Sequence, residues 1–269
     1  GRQELRKIIE DMLNGITNSP LEIIKTTNSL PFFEKKSEIL EQISECIVQN
    51  RRKISPLYRY SSAEDWNIDS LEQQNLVLRP ASEMNDIFEG DVVTSLPFAG
   101  MSEKIKDFQK GIYLKSLSEK RLDLRMFAHY GDGFKGMCVE YDFTHCVENQ
   151  IRDLFPVIYA EEPFESVKPD TLKINRFFFL RKAKEWEDEA EWRFIRLVEN
   201  ETEQKQEQSV NVRGCIKTIY LGPRMEDVKK EHIKEIAKKI NAQVKEVMLS
   251  DGKFALEAKG ENDEHLNLR

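Results

Sequence analysis

The stretch Glu189-Ala190-Glu191-Trp192-Arg193-Phe194-Ile195-Arg196-Leu197-Val198 decides the fold class of this chain. Aromatic and β-branched residues recur through it, so it reads as a strand, in which alternate residues share a face. One face carries Glu189, Glu191, Arg193, Ile195 and Leu197; the other carries Ala190, Trp192, Phe194, Arg196 and Val198. The first face passes from charged to apolar along its length, as expected where a strand leaves the core and reaches the lip of a cleft. Its plain structural alternative is an exposed same-face ion pair between Glu191 and Arg193, contributing about 0.2–1 kcal/mol.

Outward from this strand, similar short runs alternate irregularly with helical patterns. Leu57–Tyr60, Leu76–Leu78, Ile112–Ser116, Met137–Tyr141, Pro156–Tyr159, Ile216–Leu221 and Val244–Leu249 read as further strands. Helices are expected at 98–110, 121–129, 169–185 and 225–241, the last carrying Val228, Ile233, Ile236 and Ile240. The polar stretch Glu199–Gln208 has no period and reads as an exposed loop. Without regular βαβ spacing the pattern predicts an α+β fold, a mixed or antiparallel sheet core flanked by helices.

Residues 2–50 read as helical. Leu5, Ile8, Ile9, Met12 and Leu13, then Ile39, Ile43 and Ile47, recur at three-and-four spacing around a proline-containing break. This N-terminal helical segment, 1–53, is expected either as a layer on the fold or as an arm that docks a partner or a second copy. The basic run Arg51-Arg52-Lys53 marks its junction with an α+β domain at 54–258, followed by a flexible tail at 259–269.

Composition narrows the function classes. Of 269 residues, 39% are hydrophobic and 33% charged, a globular balance. A formal charge of −7 argues against coating nucleic acid or an anionic membrane through bulk charge, though a local basic groove is compatible with it. No run approaches the ~18–20 apolar residues needed to span a bilayer, and no signal-peptide pattern opens the sequence, so a cytoplasmic location is expected. Cys46, Cys138, Cys146 and Cys215 lack metal-type spacing with one another or with a histidine. They are expected as reduced thiols, and no structural metal is expected.

Two further segments carry candidate chemistry. In Met126-Phe127-Ala128-His129-Tyr130-Gly131-Asp132, His129 ends a helix before a glycine-containing turn. It suits either catalysis or interaction with the last helical carbonyls. In Asn85-Asp86-Ile87-Phe88-Glu89-Gly90, the acids suit a turn, or a divalent metal with ligands from elsewhere.

The ordered set resembles the bacterial domain-of-unknown-function family 2971. It comprises Leu57-Tyr58-Arg59-Tyr60; Asn85-Asp86 with Phe88-Glu89-Gly90; Ser116-Leu117-Ser118-Glu119; His129-Tyr130-Gly131 with Lys135-Gly136 and Glu140; and Lys182, Trp186 and Glu189 with Glu191-Trp192-Arg193. The resemblance spans about residues 56–225, with Ile87 where the family pattern has proline and Phe127 where it has tryptophan. Neither departure removes a polar group, and the family's name assigns no reaction.

The order is also similar to the arginine–serine–glutamate arrangement of ADP-ribosyltransferases, an analogy of order and residue type. It implies NAD as substrate, with Glu191 stabilising an oxocarbenium-like ribose and Arg59 forking onto the phosphates. Ser116 or Ser118 would hold the neighbouring acid, and Glu189 would position or deprotonate an acceptor. His129 or Tyr130 would face the nicotinamide or substrate, and Tyr60, Tyr130 and Arg193 would join Arg59 in binding the cofactor. Two other classes stay open: a metal-dependent nuclease or phosphodiesterase using Asp86, Glu89, His129 and Glu140, and a non-enzymatic interaction module.

Overall fold

The computed structural model describes residues 1–17, 41–83, 111–147, 150–161, 179–198, 200–204 and 206–259. The expected helix at 98–110, the Asn85–Gly90 segment with Asp86 and Glu89, residues 169–178 and the tail from 260 onward lie outside the described residues. The fold is α+β, with helices and a mixed sheet core and with the N-terminal helix α1 at Arg2–Thr17. The strands are β1 Leu57–Ser61, β2 Asn75–Val77, β3 Arg79–Pro80, β4 Ile112–Ser118, β5 Met137–Tyr141, β6 Leu154–Pro156, β7 Ile158–Ala160, β8 Arg181–Ala183, β9 Glu191–Leu197, β10 Ser209–Asn211, β11 Ile216–Leu221, β12 Gln243–Leu249 and β13 Leu256–Ala258. They divide between two compact units, one formed by 1–54, 78–116 and 147–208, the other by 55–77, 117–146 and 209–269.

In the first unit, β4 has β3 on one side and β9 on the other, and β6 follows β9. Strands β6 and β9 run antiparallel, pairing Leu154 with Phe194, Phe155 with Arg193 and Pro156 with Trp192. A separate parallel pair, β7 with β8, sets Tyr159 opposite Lys182. The three-and-four spacing read in the N-terminal segment has a packing cause. Leu5 and Ile9 of α1, and Ile43 and Ile47 of the helix at 41–49, are buried, whereas Ile8 points to solvent. They join a core of Ile112, Leu114, Ile151, Phe155, Leu180, Trp192 and Phe194.

In the second unit the strand order is β13-β12-β11-β5-β1, with the end of β4 beside β1 through Tyr58 and Ser118. Strands β11 and β12 are parallel, because the helix Asp227–Ile240 carries the chain back between them; the other pairs are antiparallel. That helix buries Ile233, Ile236 and Ala237 while Val228 stays exposed, and Asn241 ends it in the left-handed conformation at φ 58°. Alternation along β1 sends Tyr58 and Tyr60 to the side of Cys138, Phe127 and Tyr220. Gly136 lets the turn before β5 close onto β1, since a Cβ there would lie 2.0 Å from the carbonyl oxygen of Ser61.

Several expectations change. The 189–198 strand begins only at Glu191: Glu189 ends a 3-10 helix, Lys184–Glu189, and Ala190 turns the chain at φ 45°. Over 181–185, within the described end of the expected helix 169–185, the chain forms strand β8 and the start of that 3-10 turn, where pairing with β7 overrides helical propensity. The single strand expected over 156–159 is two, β6 and β7, parted at Val157, whose N–H donates to the Glu191 carbonyl at 3.0 Å. A short helix, Glu201–Gln204, sits within the expected loop 199–208.

A buried charge cluster as the candidate functional site

The two acids of the opening stretch meet in the first unit, although they do not share a strand. The left-handed turn at Ala190 separates them, and Lys182 from β8 rejoins them: its Nζ lies 2.7 Å from Glu189 Oε2 and 3.1 Å from Glu191 Oε2. Arg193, two residues along β9, closes a fork on Glu191, with Nε 2.6 Å from Oε1 and Nη2 2.9 Å from Oε2. Its remaining arm donates to the carbonyl of Phe179 at 2.8 Å. The geometry is the bidentate one that a planar guanidinium favours.

The expectation of a cleft lip is corrected. Arg193 is 0% exposed, Glu191 3%, Lys182 8% and Glu189 9%. Two carboxylates and two cations in this space sum to zero formal charge, which is the condition under which buried charges are tolerated. Burial alone would raise the Glu191 carboxyl, but the charges of Arg193 and Lys182 and the Arg193 hydrogen bonds outweigh it and hold the group below the usual carboxylate range. The same acid acts in reverse on Tyr159. There burial first, then the Glu191 charge, pushes the phenol above its ordinary value, while its oxygen accepts the Glu191 N–H at 2.8 Å.

Ser116 lies on β4, the strand beside β9, and contributes to holding the Glu191 carboxyl low. Its Oγ is buried and makes no hydrogen bond among the described residues. The serine and the glutamate of the sequence pattern come from the adjacent strands β4 and β9.

The other expected site residues belong to the second unit and are divided there. Arg59 and Tyr60 are consecutive on β1 and point to opposite faces; Arg59 lies close enough for its charge to act on Tyr141, opposing the upward push of burial on that phenol. Tyr60 is 1% exposed, donating to the Lys120 carbonyl at 2.7 Å and accepting from Asp123 N at 2.9 Å, which makes it a structural strut. Ser118 is buried and its Oγ accepts from Lys120 N at 2.9 Å, closing a turn. His129 is exposed at the end of the helix Leu124–Tyr130, edge-on to half-buried Tyr130 at 6.3 Å between ring centroids. Glu140 accepts from Tyr220 Oη at 2.8 Å.

Of the metal-site residues, Asp86 and Glu89 lie outside the described residues, and no group of three or more His, Cys, Asp or Glu among the described residues is placed to hold an ion. The described cysteines are thiols, Cys46 half-buried and the others buried. No helix among the described residues is long and apolar enough to cross a membrane. Reading the residues alone missed Arg6 and Tyr159; Lys182 entered only as an element of the family pattern. Arg6 and Tyr159 reach Glu191 from 185 and 32 residues away, separations that local periodicity does not report. Compared with family models, curated proteins and solved structures, the chain matches none, so the resemblance to family 2971 rests on the quoted motifs.

Proposed function

We propose that this chain is an NAD-using enzyme, ADP-ribosyltransferase-like or NAD-glycohydrolase-like, with Glu191 as its acidic residue. The observation that carries the reading is that Ser116 and Glu191 come from the adjacent strands β4 and β9, with the Glu191 carboxylate buried against Arg193 and Lys182. In such a reaction the bond between the ribose C1′ and the nicotinamide nitrogen breaks, and its electron pair leaves with nicotinamide. Water or an acceptor nucleophile then adds at C1′ and loses a proton. A carboxylate kept ionised beside C1′ stabilises the positive charge that develops there. Its depressed pKa keeps Glu191 in that form at neutral pH. Because Arg193 and Lys182 already occupy both oxygens, a substrate must share the carboxylate or draw it partly from Arg193. Glu189 is paired with Lys182, which suits it to positioning. The reading rests on first-unit residues alone and does not call on Arg59.

A second reading is favoured by the saturation of the same cluster: a structural ion network inside a non-enzymatic interaction module. The nuclease reading gains no observation. Nicotinamide release from NAD, measured for wild type, Glu191→Gln and Ser116→Ala with circular dichroism as a fold check, separates the first two. The enzymatic reading expects release that falls by about 100-fold or more in a folded Glu191→Gln, in line with loss of a transition-state charge partner. Equal rates in both proteins, or no release with or without added acceptor proteins, would sink it and leave the structural network.

A further inference from the structure

The peptide of Glu191 is held as firmly as its carboxylate, and the clamp comes from the N-terminal helix. Arg6 of α1 is 7% exposed, and its Nη2 donates to the Val157 carbonyl at 2.6 Å and the Glu191 carbonyl at 3.3 Å. The Glu191 carbonyl also receives the Val157 N–H at 3.0 Å, while the Glu191 N–H donates to Tyr159 Oη at 2.8 Å. The Arg6 guanidinium carbon lies 5.7 Å from the ring centre of Tyr159 and 5.9 Å from that of Trp192. One flat cation therefore touches the ring that holds the N–H of Glu191, the ring of the residue after it, and its carbonyl. Glu10, one turn further along α1, accepts from Arg6 Nε at 3.0 Å and balances the charge. Leu5 and Ile9 on either side of Arg6 are buried, so the helix delivers this side chain in a fixed orientation.

We infer that Arg6 is a positioning residue for Glu191, so that α1 is a built-in part of the candidate site rather than an arm that docks a partner. Its contribution to turnover rests on the NAD-using reading above; its clamp on the Glu191 peptide does not. Arginine suits the role because a fork can reach two carbonyls and a carboxylate while its central carbon stays 5.7 and 5.9 Å from two ring centres. Lysine keeps the charge but has a single ammonium to place. Leu5 and Ile9 of α1, apolar residues that could seat a second copy, are already buried within the first unit.

Hydrogen exchange of β9, with β5 as an internal control, tests the clamp on the full chain carrying Arg6→Ala or Arg6→Lys. Arg6→Ala is expected to speed exchange of the Glu191 and Trp192 amides about tenfold or more, as for loss of a buried hydrogen-bonding partner, and to leave β5 unchanged. Arg6→Lys is expected to keep the α1 amides protected and still loosen β9. In NAD turnover, both variants are expected to lose kcat with KM within about twofold, the split that marks misplacement of a reacting group rather than weaker binding. Unchanged β9 exchange in both variants overturns the inference, as does wild-type kcat in Arg6→Ala. An inactive wild type with loosened β9 in the variants instead removes the NAD reading and retains the clamp. If Arg6→Ala fails to fold, Arg6→Lys alone decides by the same two measurements.

Discussion

Glu191→Gln isolates one negative charge in an otherwise unchanged shape. The wild-type carboxylate takes three charge-assisted contacts, two from Arg193 and one from Lys182. A glutamine oxygen can accept some of these, but its NH₂ group must face donors. Lys182 retains Glu189, whereas Arg193, at 0% exposure, keeps its hydrogen bond to the Phe179 carbonyl but loses the carboxylate charge it forks onto. Removing one partner of a buried pair in this way costs about 3–5 kcal/mol. With a urea slope of about 2 kcal/mol/M, the midpoint should fall by about 2 M. Trp192, fully buried beside the substituted residue, and Trp186 give the fluorescence signal for the first unit, and Trp66 belongs to the second. The pH dependence has a definite sign. A carboxyl held below its ordinary range in the folded state contributes stability that is complete above the unfolded value of about 4.3 and is lost as pH falls through the folded value. Because the variant has no such group, its gap from wild type should be widest near pH 7 and narrow on acidification below about pH 4. A midpoint shift under about 0.5 M, the scale of an exposed pair, or a gap that does not change with pH, would refute the description of Glu191 as a tightly held buried anion.

Two other outcomes follow from packing. Gly136→Ala should cost at least about 4 kcal/mol or prevent soluble expression, because the added carbon meets backbone atoms of Ser61 and Gly131 at 2.0–2.9 Å. Gly133→Ala, at φ +57° with open space around it, should cost only about 1 kcal/mol, and similar melting temperatures for the two variants would contradict the packing. Iodoacetamide at pH 8 should label half-buried Cys46 first and leave Cys138 and Cys215 slow, since burial raises both thiols, Cys215 up to about 12, with Cys146 and Asp142 adding to it. Peptide mass spectrometry showing Cys215 labelled as fast as Cys46 would contradict this.

The sequence was most legible where a single local pattern matched the final environment. Met137–Tyr141 and Ile216–Leu221 are dense apolar runs bounded by turns, and the structure starts and ends both strands at those residues. The helix near 225–241 was found from its period, although Val228 fits that period and faces solvent. The opening stretch misled by one turn. Glutamate, alanine and glutamate in a row carry no mark for the left-handed conformation that Ala190 adopts, so Glu189 was assigned to the strand. Exposure was misjudged for a related reason. Charged residues are ordinarily solvated, and what reverses that here is Lys182 and Arg193 neutralising two acids, with Arg6 bracketing the adjoining peptide from 185 residues away. Such a balance exists only after the chain has folded. The sequence analogy joined Arg59 and Tyr60 as ligand-binding neighbours, but consecutive strand residues face opposite ways, and Tyr60 is buried under the Leu124–Tyr130 helix.

The division of the chain into two units bears on how the protein can be made and dissected. Each unit is assembled from three separated segments, alternating along the sequence. During synthesis the charge cluster cannot close until Arg193 has left the ribosome, although Arg6 emerged far earlier, so α1 must wait with Leu5 and Ile9 uncovered. The second unit waits longer still, for the parallel pairing of β11 with β12. No single cut releases either unit as a continuous fragment. Deleting residues 1–53 removes part of the first unit's core, and a loss of assembly after that deletion would report unfolding before it reported a lost contact between copies.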